Sequence, residues 1–366
     1  MGTYRGEVVY LFAYDVAYDT ARRPLGTLLG QPVAEFAVDS SKRAPRQLFF
    51  FRPQMVRLPT LERIGPHGRV RVERTVKFLP VGAISISVRV PFEIKDLGEL
   101  AAYHDLSFSN GTLHDEVREL AAEICRELHP HLIRPTNTLV ADEAYTVFCM
   151  EPLLTPEREA ITSEKWLEAN RREVAAILTQ EPDGRALSVQ ESDESTARHL
   201  SYYGSDLVVV DWDAALVIDE PRHFDEALYL MELANLQLAE LEAYDRLLDD
   251  ALDRAYRDLR KRRVAGGAAV LREVRELRID LARFSDELSN ITKFFGDWHL
   301  ARIYQALAAR FHLGDWHHSI DQKIQTLDDL YRMLVQDRTN RLMVILEATI
   351  VLLFIVDIAM LLWGGK

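Results

Sequence analysis

From Leu342 to Trp363 the chain reads LMVILEATIVLLFIVDIAMLLW, and no other stretch so narrows what it can fold into. As a helix rising about 1.5 Å per residue, it would be roughly 33 Å long, enough to cross a bilayer core. Trp363 ends the run, where an indole suits the headgroup layer. Arg332, Arg338 and Arg341 precede it and Lys366 follows it, so the positive-inside bias keeps the N-terminal body in the cytoplasm. The stretch predicts one C-terminal transmembrane helix over 342–363, a single-pass inner (plasma) membrane protein.

Glu347 and Asp357 interrupt that run. An acid at a helix centre costs about 2.5 to 3.5 kcal/mol on insertion scales, while each Leu, Ile, Val or Phe returns about 0.3 to 0.6. Ten positions apart, the two carboxylates lie about 80° apart around the axis and can share one protected face. The expectation is a homo-oligomer in which neighbouring helices hide them. A pore with a single span per subunit, lined by either acid, is the alternative, and a buried helix of a globular domain is another.

Upstream, hydrophobic residues at 48% and charged residues at 28% are the proportions of a globular body that folds in water. A net charge of -13 repels phosphate backbones, so direct DNA binding is not expected. Cys125 and Cys149 lie in no CxxC or paired His/Cys pattern, which predicts neither zinc nor a disulfide framework, and no cofactor is expected. The opening residues lack the basic and apolar regions of a signal peptide. Gly6 stands where myristoylation needs Ser or Thr.

Residues 1–220 read as an α+β domain. Period-two alternation over 70–79 and 83–94, clearest at Ile84, Ile86, Val88 and Val90, predicts a hairpin turning at Pro80-Val81-Gly82. Residues 143–150 and 206–218 read as further strands, and 112–128 and 155–178 as helical. Residues 221–341 read as a long antiparallel, coiled-coil-like helical region. A helix over 224–263 breaks at Gly266-Gly267. Beyond it Val274, Leu277, Leu281, Phe284, Leu288, Ile291 and Phe295 alternate spacings of three and four, the pattern of an oligomer seam. A third helix from Asp315 carries Ile320, Ile324, Leu327, Leu330 and Leu334, and nothing stops it before the C-terminal run. GDWH occurs at 296–299 and 314–317, where each Asp reads as a helix cap. The adjacent His317 and His318 face apart on a helix, which argues against a metal pair.

Candidate chemistry is sparse. VVVDWDAALVID places Asp211 and Asp213 on one side of the expected strand, and a DxD of this kind can hold Mg²⁺ for phosphoryl chemistry. No P-loop, GxSxG, HExxH or dinucleotide signature accompanies it, and the reading is of a protein that is not an enzyme. The cluster Arg257, Arg260, Lys261, Arg262 and Arg263 either complements a helix dipole or forms a docking patch for lipid headgroups, RNA or an acidic protein.

The stretch TKFFGDWHLARIYQALAARFHLGDWHHSIDQKIQTLDDLYRML, followed by RLMVILEATIVLLFIVDI, resembles the family named for "required for meiotic nuclear division". DWDAALVID and the LxLxELxxYD pattern of Leu236 to Asp245 are similar too. The resemblance implies a C-terminal anchor, self-association and a membrane-tethered scaffold that binds a cytoplasmic protein or ribonucleoprotein, with a link to translation. It carries no catalytic residue onto this chain. Arg in preference to Lys fits a bacterial member.

Overall fold

Every residue of the first strand from Val8 to Tyr14 is buried, so both of its faces must be covered. The covering layers follow from that. The computed structural model describes residues 3–20, 25–36, 54–66, 68–79, 82–108, 111–135, 143–152, 162–261, 279 and 298–363. Two compact units result, one of Met1–Ala243 with Ser285–Asp315, the other of Tyr244–Phe284 with Trp316–Lys366.

The first unit is built on a sheet of ten strands among the described residues. They are β1 (Tyr4–Asp15), β2 (Ala34–Glu35), β3 (Gln54–Arg57), β4 (Leu61–Gly65), β5 (Gly68–Leu79), β6 (Ala83–Ile94), β7 (Glu143–Met150), β8 (His199–Leu200), β9 (Leu207–Val210) and β10 (Ala214–Ile218). Their spatial order is β8-β9-β10-β7-β1-β6-β5-β3-β2, with β4 paired to β5. Only the β7–β10 pair is parallel among them. The expected hairpin is present, with Val76 opposite Ile86 and Leu79 opposite Ala83. Where β1 meets β7, Gly6 approaches the Cys149 carbonyl so closely that an added Cβ would lie 1.9 Å from its oxygen.

One face of the sheet presents Tyr10, Phe12, Tyr14, Ile84, Ile86 and Val88 to the main core. Against that core pack α1 (Leu113–Leu128), α2 (Ser163–Ala169) and α3 (Arg171–Leu178), through Val117 and Ile124, Trp166, and Val174 and Ile177. The helix α4 (Val189–Ser195) is capped by the Ser188 hydroxyl. Across the other face runs the start of α5 (Phe224–Lys261), whose Asn235 side chain donates to the Leu11 carbonyl. The helix α6 (Trp298–Arg310) belongs to the same unit, and Tyr304 hydrogen-bonds Gln237 of α5.

In the second unit, α5 buries Leu248, Ala251 and Ala255, and α7 (Leu313–Trp363) buries Ile320, Ile324, Leu327 and Tyr331. The Lys323 ammonium sits 2.7 Å from Asp245 and 2.6 Å from Asp249, one turn apart on α5. As expected, α7 is unbroken, running 51 residues into the apolar C-terminal stretch.

That stretch requires a correction. Among the described residues no helix is long and apolar enough to cross a membrane. The expected transmembrane anchor over 342–363 is overturned, and the single-pass inner-membrane location goes with it. The physical reason lies in Glu347 and Asp357: they cut the run so that its longest part without an ionisable side chain is Ala348 to Val356. Nine residues make about 14 Å of helix, less than half of a hydrocarbon core of about 30 Å. The pore alternative loses its span for the same reason. The seam residues Val274, Leu277, Leu281, Phe284, Leu288, Ile291 and Phe295 lie outside the described residues.

Candidate functional site

Asp211 and Asp213 do not share a strand. VVVDWDAALVI folds as a hairpin, β9 to β10, with Asp211, Trp212 and Asp213 at its turn. The Asp211 amide donates to the Ala214 carbonyl at 3.0 Å. From β7 the buried Tyr145 hydroxyl reaches the Asp211 and Ala214 carbonyls at 3.0 and 3.1 Å, which fixes the turn from inside the sheet.

The Asp211 carboxylate is 4% exposed and already satisfied. Its Oδ1 accepts from the Trp212 amide at 2.8 Å and from Arg310 Nε at 2.6 Å, and Arg310 Nη2 bonds the same oxygen. Arg310 Nη1 continues to Glu194 on α4 at 3.1 Å. Burial, and then the Asp211 charge, push the Asp213 carboxyl above the usual carboxylate range. An arginine thus fills the place that a divalent cation would take beside Asp211, and Asp213 gives up its charge more readily than a metal ligand should. Among the described residues no group of three or more His, Cys, Asp or Glu is set to hold a metal ion.

A second polar constellation, unmarked by any motif, lies where α5 crosses β5 and β6. Asp225, Glu232 and Asn235 are seven and three residues apart and so share the helix face that meets the sheet. Glu232 pairs with the buried Lys77 ammonium and accepts from the Ser85 hydroxyl at 2.6 Å. The Lys77 ammonium also sits 3.9 Å above the Phe36 ring centre. Arg89 is held between Glu7 at 3.2 Å and Asp225. Burial raises the Glu7 carboxyl despite the opposing pull of Arg89. Alternation in the strands announces which of these residues share a face, but their partners stand 82 to 155 residues away.

The remaining expected site residues are scattered. Glu347 and Asp357 are exposed on α7 among exposed apolar side chains. Arg257 is exposed near the end of α5, whose last turns also carry Arg260 and Lys261, while Arg262 and Arg263 lie outside the described residues. His317 and His318 are on α7. Burial lowers His317 below the ordinary histidine range, with Asp321 opposing. At the second GDWH, Asp315 lies in the first turn of α7 and receives His312 Nδ1 at 3.0 Å.

Against known proteins, the family profile described as "Uncharacterized protein MJ0711, N-terminal domain" matches residues 5–225, which span the whole sheet and reach the first turn of α5. The Uncharacterized protein MJ0711 of Methanocaldococcus jannaschii is 25% identical over 248 residues, 66% of this chain and 73% of that protein. No solved structure gives a significant match.

Proposed function

The chain belongs to the MJ0711 N-terminal-domain family, and from that premise we propose that it is a self-associating scaffold, not an enzyme, which carries the family's sheet domain on a helical assembly unit. The observation that carries this reading is the C-terminal part of α7. Val344, Ile345, Leu346 and Phe354 point to four sides of the helix, and each is more than 60% exposed. A helix apolar on all sides is stable only when surrounded, and a contiguous apolar surface on a folded chain marks an interaction site. Other copies of the same segment supply such surroundings. They also give the Glu347 and Asp357 carboxyl groups hydrogen-bond partners on neighbouring copies. The resemblance of the last hundred or so residues to the family named for "required for meiotic nuclear division", which implies self-association, supports the same reading.

Light scattering coupled to size-exclusion chromatography tests it, run in buffer and again in non-denaturing detergent to remove unspecific clustering. The full chain should elute as a defined oligomer, and a chain lacking 342–366 as a smaller species. A full chain that is monomeric in both media would sink the proposal.

A further inference from the structure

Beside the Lys77–Glu232 pair the sheet opens into a pocket of about 360 Å³ that neither the family nor the scaffold reading assigns. That volume lies at the lower end of small-molecule sites. Its floor comes from strand register: Arg57 on β3 stands opposite Thr75 on β5, and Thr75 stands opposite Ser87 on β6. Directly opposed side chains on one face have Cβ atoms about 5 Å apart, so a guanidinium and two hydroxyls converge in one row. Lys77 and Arg89 flank the row from the next positions on the same face. Arg71 lines the rim, with Nη2 on the Thr60 hydroxyl at 3.3 Å and Nε 3.6 Å from Glu73. The opposite wall is apolar, made by Leu228 and Tyr229 of α5 with Phe36 beside them, and Met55 adds an apolar side chain to the floor opposite Lys77.

The charges are unevenly spent. Lys77 is engaged by Glu232, and Arg89 by Glu7 and Asp225. Among the described residues Arg57 has no acidic partner, and neither the Thr75 nor the Ser87 hydroxyl has a hydrogen-bond partner. A chain of net charge -13 therefore gathers five cationic side chains against the Glu73 and Asp225 carboxylates on one small surface, with Arg57 unpaired beside two open hydroxyls. An arginine fork with adjacent hydroxyls matches the three terminal oxygens of a phosphate better than the two of a carboxylate. The apolar wall suits a flat organic body attached to that phosphate.

We propose that this pocket binds an aromatic phosphate monoester, with the phosphate on Arg57, Thr75 and Ser87 and the ring against Phe36, Leu228 and Tyr229. Isothermal titration of the full chain tests this with adenosine monophosphate, inorganic phosphate and adenosine as probes. Adenosine monophosphate should bind one per chain and at least tenfold more tightly than inorganic phosphate, and adenosine should not bind measurably. Affinity should weaken as salt is raised. R57A should lose at least tenfold, and R57K, which keeps the charge but not the fork, should lose less. The double variant T75V/S87A should lose affinity while its circular-dichroism spectrum is unchanged. Arg57 is exposed, so its replacement leaves the fold intact, and a thermal melt of R57A confirms that. Absence of binding by adenosine monophosphate at millimolar concentration, or equal binding by R57A and the parent chain, overturns the proposal. Equal affinity for inorganic phosphate and the nucleotide overturns the ring-binding half of it.

Discussion

Arg310 on α6 donates through Nε to Asp211 in the β9–β10 turn at 2.6 Å, across 99 positions of sequence. The pair is largely out of solvent, with side-chain exposures of 18% and 6%. Removing one member of such a pair leaves the other charge desolvated and unpaired. Arg310→Met should therefore cost about 3 kcal/mol of unfolding free energy. Asp211→Asn should cost less, since an amide oxygen still accepts from the Trp212 amide and from Arg310. Urea unfolding of the two variants checks the order, and equal midpoints would refute it.

Asp213 reports on the same turn through pH. Its folded carboxyl is held above the unfolded value by burial first and the Asp211 charge second, so the native state holds that proton more tightly than the unfolded chain does. By linkage its contribution to stability declines as pH rises from the unfolded carboxylate range through the raised folded value. Asp213→Asn should thus stabilise the protein at neutral pH, and the gain should vanish in acid below the unfolded value. Thermal melts at the two pH values measure it. A gain that is the same in acid would point away from the carboxyl charge.

Gly6 sets a different constraint. A Cβ there would sit 1.9 Å from the Cys149 carbonyl oxygen, 2.9 Å from its carbon and 3.0 Å from the Met150 Cα, all main-chain atoms. No side chain can swing aside to relieve the clash. Gly6→Ala should cost about 1 to 3 kcal/mol, the range of overpacking in a close-packed interior. A drop in the urea midpoint is expected, and an unchanged midpoint would show that β1 and β7 can separate freely.

Neither cysteine should behave as a reactive thiol. Burial pushes the Cys125 thiol up to about 11 and holds that of Cys149 well above the ordinary thiol range. The thiolate is the nucleophile, and its population at neutral pH is therefore small. Iodoacetamide should label neither residue in the native protein and both in urea, as read by intact mass. Rapid native labelling at Cys125 would contradict the raised thiol of this half-buried residue.

How much of this could be read from the chain depends on where the determining contacts lie. The β5–β6 hairpin was legible because one face is buried and its alternation at Ile84, Ile86 and Val88 is local. The central strand β1 was not, because burial on both faces erases alternation, and VVYLFAY then reads equally as a buried helix. The DWD turn was hidden for another reason. It contains no Gly, Pro or Asn, and is held instead by Tyr145 and Arg310 from distant elements, so VVVDWDAALVI scans as one strand. The continuity of α7 was evident, since no breaker interrupts it. Its apolar end reads as a span by total length and hydropathy, yet the spacing of Glu347 and Asp357 divides it into stretches too short to cross. The cationic pocket joins residues of three strands to the start of α5, and no motif could mark it.

The Lys77–Glu232 pair permits the most discriminating test of how the sheet and α5 are joined. Both side chains are buried, and they are linked to Ser85 and to the Phe36 ring, so each charge depends on the other for solvation. Breaking such a pair from one side costs more than replacing both members with apolar residues of similar volume, because the second change removes the orphaned charge. Lys77→Met and Glu232→Met should each cost about 3 to 5 kcal/mol, whereas the double variant should lie within about 2 kcal/mol of the parent. The double-mutant cycle then shows a coupling larger than either single-variant cost, approaching the sum of the two as the double variant nears the parent. Chemical unfolding of the four proteins gives the numbers. Additive single costs, with the double variant losing the sum of both, would mean that the two groups are solvated independently and that α5 is held to the sheet by its apolar face alone.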